Sequence, residues 1–199
     1  MSYSDFTLSR LVKQFNLTTE EGIDVYADTP PVVLRPEFEQ HLADIVPLAL
    51  NFSTEKARSE FIIAPVLAEL WLLADQQISL FSGAEFTVDT ESGLAGICDY
   101  IITRSRERLF ISAPVILVVE AKNEDMRRGY AQCIAEMVAA QRFNESDGIP
   151  SGKMYGAVTI GNLWKFLELD GATVRIDQAE YGTKDFGKIL GILLYMATA

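Results

Sequence analysis

The chain has 199 residues, 49% apolar and 23% charged, the balance of a single globular domain that can bury a real core, which excludes global disorder. Its formal net charge is −11, a poor basis for holding phosphate backbones non-specifically. No apolar run reaches the ~18 residues of a membrane span, and one histidine with two cysteines cannot complete a four-ligand Cys/His zinc site.

In chain order, Ser4–Phe15 reads as a short amphipathic helix, with Phe6, Leu8, Leu11, Val12 and Phe15 at three- and four-residue steps. Residues Thr18–Pro36 are acidic and broken by Pro30, Pro31 and Pro36, which predicts a loop or extended strap. A surface helix over Glu37–Leu50 carries His41, the sole histidine. A third helix, with Ser53 or Thr54 as N-cap, runs towards Leu73. Its stretch Phe61–Leu73 is apolar nearly all round, as a buried helix is, and Pro65 is expected to bend it. The period then changes to that of strands at Leu80–Asp89, Leu94–Thr103 and Leu109–Glu120, the last two joined by the charged turn Arg104–Arg108. The branched run Val115–Val119 predicts a central strand buried on both faces. A helix from Glu124 or Asp125 to about Phe143 follows. Then come a hairpin of Met154–Ile160 and Leu163–Leu169 over Gly161-Asn162, an edge strand Thr173–Gln178 and a helix Phe186–Met196. This order predicts an α/β or α+β fold with a mixed sheet flanked by helices, in one domain 1–199. Residues 1–52 form an N-terminal helical or strap extension, and 53–199 the core.

The charge is unevenly placed. Residues 1–100 hold 5 Lys/Arg against 16 Asp/Glu, whereas 101–199 hold 12 of each. The second half concentrates its cations in Arg104, Arg106, Arg108, Lys122, Arg127, Arg128 and Arg142. Met1–Arg10 lacks a basic segment followed by an apolar one, so a cytoplasmic location and no membrane association are expected. Cys98 and Cys133 lie in apolar segments and read as small buried hydrophobes.

Four features of the middle segment carry chemistry. Glu120-Ala121-Lys122 closes the buried strand, and strand alternation puts Glu120 and Lys122 on one face about 7 Å apart. Such charges are costly there unless paired or bound to metal. Asp99 is a lone acid in another apolar strand, which the hairpin brings beside Glu120 in the right register. Together they form a hard-oxygen site suited to Mg²⁺ or Mn²⁺. Glu60 opens the apolar helix. Glu69 is its rival, but nine residues on it lies half a turn away and cannot share the same site. Gln132 sits on the helix after the strand, with Arg127, Arg128 and Tyr130. The plain readings are a salt-bridged strand end, a buried acid bonded to backbone amides, a helix-terminal charge and solvated arginines.

The order helix Glu60, strand Asp99, strand Glu120-x-Lys122, helix Gln132 resembles the PD-(D/E)XK nuclease superfamily, with its restriction-endonuclease-like fold, over about Glu55–Leu169. The stretch Met154–Phe166 is also similar to the hairpin after the core of the nuclease domain of type I restriction subunits. Cys98 stands where the motif has proline, and Glu136 where the RecB-like pattern has tyrosine. The resemblance implies Mg²⁺- or Mn²⁺-dependent phosphodiester hydrolysis of nucleic acid, with DNA as the expected substrate of an endonuclease. Asp99, Glu120 and the Ala121 carbonyl would hold the metal, with Lys122 beside the attacking water. Glu60 would act through water or a ligand, Gln132 and Tyr130 would position Lys122, and Arg127 and Arg128 would touch phosphates. Double-strand cutting by one site would call for a homodimer. The alternative is a catalytically silent scaffold of the same fold whose acidic face binds a basic protein partner.

Overall fold

The computed structural model describes residues 1–52, 54–122, 126–150 and 152–199. Among them an eight-stranded mixed sheet runs β1 (Thr18–Ile23), β7 (Thr173–Asp177), β6 (Leu163–Asp170), β5 (Met154–Thr159), β4 (Val115–Ala121), β3 (Ile97–Thr103) and β2 (Ser79–Glu85), with β8 (Tyr181–Gly182) paired to β6. The pairs β4–β5 and β1–β7 are parallel and the others antiparallel. The parallel β4–β5 step needs a crossover, and α5 (Met126–Ser146) supplies it. The start expected at Glu124 or Asp125 lies outside the described residues.

Helices cover both faces. Beneath one lie α5, α1 (Leu8–Phe15) and a 3₁₀ turn at Tyr3–Asp5, packed on Cys98, Val118, Val158 and Leu167. On the other, α2 (Pro36–Phe52), α4 (Ala64–Leu73) and α6 (Phe186–Thr198) pack on Tyr100, Leu117, Val119 and Phe166. Every residue of β4 is buried, as its unbroken aliphatic run requires between two helical layers.

Several expectations are corrected. The segment Ser4–Phe15 is not one helix: Phe6 leaves the 3₁₀ turn in extended backbone, and Thr7 then caps α1 by accepting the Arg10 amide. The acidic strap begins as a strand, β1, which gains ladder bonds beside β7, so Thr173–Asp177 is an inner strand and β1 is the edge. Polar, mostly exposed strands of this kind have no apolar alternation to announce them. The strand expected at Leu109 starts only at Val115. Leu109 is 92% exposed, in a loop that ends at Pro114, whose nitrogen has no hydrogen to give a ladder. The third helix is composite: α3 (Glu55–Arg58) is capped by Thr54, a π-helical turn follows at Ser59–Ile63, and α4 then opens with Pro65 in its first turn. The backbone stays in the right-handed helical region through Ile63 and Ala64, so Pro65 lies inside a continuous helical segment, and the π turn just ahead of it absorbs the missing amide. Ser53, the other cap considered, lies outside the described residues.

The first 52 residues are woven into the domain. They contribute an edge strand, two core-packing helices and a strap that crosses α6. Val32 donates its amide to the Gly187 carbonyl, and the Lys188 ammonium donates to the carbonyls of Tyr26, Ala27 and Thr29. Arg35 ends the strap with two hydrogen bonds to Glu69. Glu69 is 3% exposed, so it is a structural ion pair. Among the described residues no helix is long and apolar enough to cross a membrane.

Candidate active site

The β3–β4 register pairs Tyr100 with Val119 and Ile101 with Val118, so the next step outward sets Asp99 opposite Glu120 on the face under α5. The Asp99 Oδ2 accepts the Ala121 amide at 2.8 Å. Lys122 leaves the strand end with its amide on the Thr159 carbonyl at 2.8 Å, and its ammonium folds back to donate to Glu120 Oε1. Two residues from one strand face thus close on each other, and the salt-bridged strand end is the arrangement present.

A fourth group completes the cluster. Glu136, on the sheet-facing side of α5, is 0% exposed, as is Glu120. The Gln132 amide donates to Glu136 Oε1 at 3.2 Å across one helical turn. Each acid accepts from one nitrogen, Ala121 for Asp99, Lys122 for Glu120 and Gln132 for Glu136, and Glu120 also lies within hydrogen-bonding reach of the Asp99 and Glu136 carboxyls. The remaining oxygens of the two glutamates, both Oε2, are buried without a hydrogen-bond partner.

Two glycines allow this proximity. A Cβ on Gly129 of α5 would stand 2.5 Å from Val158 Cγ1 and 3.1 Å from Lys122 Cγ, and one on Gly156 of β5 would stand 2.6 Å from Met137 Sδ and 2.7 Å from Cys133 Sγ. With hydrogen in their place, α5 settles close to the sheet and carries Gln132 and Glu136 down to the level of Glu120.

Three carboxyls with one ammonium in a buried site cannot all ionise freely. Burial, then the charge of Asp99, pushes Glu120 up to about 8 against the pull of Lys122. Burial and Glu120 raise Glu136 well above the glutamate range. Asp99 is raised by burial, with the Ala121 amide and Lys122 opposing. Burial lowers Lys122, but Glu120, by charge and hydrogen bond, and Asp99 outweigh it, and its pKa stands above that of an ordinary lysine. Cys98 and Cys133 are free and buried nearby, their thiols pushed up chiefly by burial and then by Glu136, which leaves them inert.

The other anticipated residues are dispersed. Glu60 does not join the cluster. Its side chain is 56% exposed and pairs with Lys56 at 3.7 Å, on a segment packed against the opposite sheet face from α5. From that segment it is Glu55 whose field reaches Lys122. Arg127 and Arg128 are exposed on the first turn of α5, and Tyr130 is half-buried behind them. Arg104 donates to the Ala197 and Ala199 carbonyls, Arg106 to Gln77, and Arg108 lies over the Trp71 ring. These three stand beyond the far end of β4 from Glu120, so the positive charge of the second half does not gather at the acids. His41 is exposed on α2, away from all of this.

Among the described residues no three His, Cys, Asp or Glu side chains form a ready metal cage. Magnesium, however, is commonly held by one or two carboxylates with water completing its shell. Asp99 and Glu120, with the carbonyl of Ala121, are such a hard-oxygen set. The unpartnered Glu120 Oε2 is the kind of buried oxygen that a cation would satisfy, so the residues present fit the ion. Glu136 was the residue whose part sequence reasoning missed. The available signal was its position four residues after Gln132 in the otherwise apolar run Ala131–Ala140. Neither a protein-family model nor a curated protein sequence matches the chain.

Proposed function

We propose that the chain is a divalent-metal-dependent nuclease of restriction-endonuclease-like fold, hydrolysing phosphodiester bonds in DNA. The observation that carries this reading is the closeness of Asp99 and Glu120 at the end of β3 and β4, where Asp99 accepts the Ala121 amide and its charge acts on Glu120, with Lys122 bonded to Glu120 from the strand end. Asp99, Glu120 and the Ala121 carbonyl would hold Mg²⁺ or Mn²⁺. Bound there, the ion would polarise a phosphoryl oxygen and lower the pKa of attacking water. Lys122 would orient the attacking water or help deprotonate it, and stabilise charge building on the phosphate. Gln132 fixes Glu136, and Glu136 walls the site behind Glu120. Arg127 and Arg128 stand at the mouth for phosphate contacts. Glu60, exposed and paired with Lys56, would reach the ion only through water.

The test is cleavage of plasmid and single-stranded DNA in Mg²⁺ or Mn²⁺. Lys122→Ala and Asp99→Asn should each lower the rate about 100-fold or more with unchanged circular dichroism. Equal activity in wild type and both variants would show contamination and end the proposal.

One arrangement favours a second reading, a silent scaffold for a basic protein partner. Glu120 and Glu136 are wholly buried, and Lys122 already neutralises Glu120. Calorimetry with Mn²⁺ separates the two readings, since no heat at millimolar metal supports the scaffold.

A further inference from the structure

Beside the acidic cluster, on the same sheet face, lies a cavity of about 880 Å³ bounded by α5, β1, β6 and the segment after β7. Its floor is Lys165. A lysine in the middle of a strand is out of place, yet Lys165 is 9% exposed and donates to the Gln178 carbonyl at 2.9 Å. The register locates it. Glu120 pairs with Val158, and Val158 pairs with Lys165. The three therefore form one row across β4, β5 and β6, all turned towards α5, and two strand spacings put Lys165 about 10 Å from Glu120. Between them, Val158 and the Lys122 stem pack against Gly129, next to Tyr130. The cavity and the acidic centre are thus neighbours on one sheet face, parted by Val158 and Gly129.

The walls have two characters. Leu8, Met126, Ile176 and the Tyr130 ring offer an apolar and aromatic side, while Lys165 and Arg127 offer cations. Three acids share its edge, Glu21 on the exposed face of β1, Asp177 and Glu180. Asp177 accepts the Val25 amide and the Tyr181 hydroxyl. Glu180, 53% exposed, stands 3.9 Å from the Lys165 ammonium as its loose counter-ion. A more strongly charged oxyanion can take that place, and the apolar side suits a ring stacked on Tyr130.

We infer that this cavity is a nucleotide subsite: Lys165 anchors a phosphate flanking the scissile one, Glu180 vacates the ammonium when it binds, and the adjoining base stacks on Tyr130. The inference rests on the nuclease reading for its place in the reaction, but not for its chemistry, which is capture of a nucleoside phosphate. An 880 Å³ space takes one or two nucleotides, in keeping with ordinary ligand cavities.

The experiment is calorimetric titration of the full chain with 5′-phosphorylated thymidine dinucleotide in EDTA, so that binding is read without cleavage. Lys165→Met, which keeps the buried stem, should weaken binding at least tenfold. Glu180→Gln, at an exposed position, should tighten it several-fold, and unphosphorylated thymidine should not compete. If Glu180→Gln binds like wild type, or if wild type binds no dinucleotide at millimolar concentration, the subsite is refuted even where Mn²⁺-dependent cleavage is intact. If both variants shift as stated while Mn²⁺ supports no cleavage, the subsite stands and the nuclease reading fails.

Discussion

Glu120 and Glu136 show how far a side chain's neighbours redefine it. Both are glutamates, with an ordinary carboxyl in the unfolded chain, yet burial raises both in the fold, reinforced by the charge of Asp99 at Glu120 and by that of Glu120 at Glu136. A raised carboxyl favours the native state while it is protonated. That advantage is whole below the ordinary glutamate range and drains away as pH climbs through the folded values, which for Glu120 extends to about 8. In EDTA the wild type should therefore lose melting temperature between pH 6 and pH 9. Glu136→Gln, a neutral isostere of the protonated acid, should lose less. The gap between them should widen by about 2–4 °C, the equivalent of ~1 kcal/mol in a chain of this size. Parallel melting curves for the two proteins would mean that the acids do not share a water-poor pocket that holds their protons.

The element that builds the site is α5. Its lower face is almost entirely small or apolar from Ala131 to Ala140, which lets it lie flat on β4 and β5, and Gly129 and Gly156 set its height. A methyl at Gly129 would meet a β-branched valine with little room to turn. Gly129→Ala should therefore cost about 1–3 kcal/mol by denaturant unfolding. It should also lift the first turns of α5, reducing Mn²⁺-dependent cleavage by more than the stability loss explains. Gly156→Ala meets a methionine and a cysteine, and the flexible methionine can give way. The same loss there should be smaller, and an equal or larger one would show that the helix height is set elsewhere.

At the scale of the whole molecule, the acidic balance opposes nucleic acid, and the fold does not repair this by pooling its arginines. Arg142 is committed to Asp89, Arg175 to Glu168 and Glu20, and the arginines of the β3–β4 loop to the far end of the sheet. Cations around the acids are therefore few, and affinity for DNA should depend on metal beyond ordinary screening. Anisotropy with a labelled single strand and Lys122→Ala, which slows cleavage but keeps the acids that would hold the ion, should show binding strengthened by millimolar Mg²⁺ but not by a matched rise in KCl. Equal response to both salts would place the DNA contacts away from the acids.

Much of this was legible in the amino-acid order. The aliphatic run Val115–Val119 identified the central strand, because only a strand between two layers wants five such residues in succession. Asp99, Glu120 and Lys122 stood out as charges where charge is costly. The edge strand β1 left no such mark, since its partner lies some 155 residues away and its ladder is made by backbone alone. Glu60 and Glu136 show the limit most clearly. Periodicity assigns a residue to a side of its own helix, but which sheet face that helix covers is set by packing between distant segments. Local sequence therefore determined the strands, the helices and the unusual charges, while tertiary packing alone decided that Glu136 meets Glu120 and that Glu60 does not.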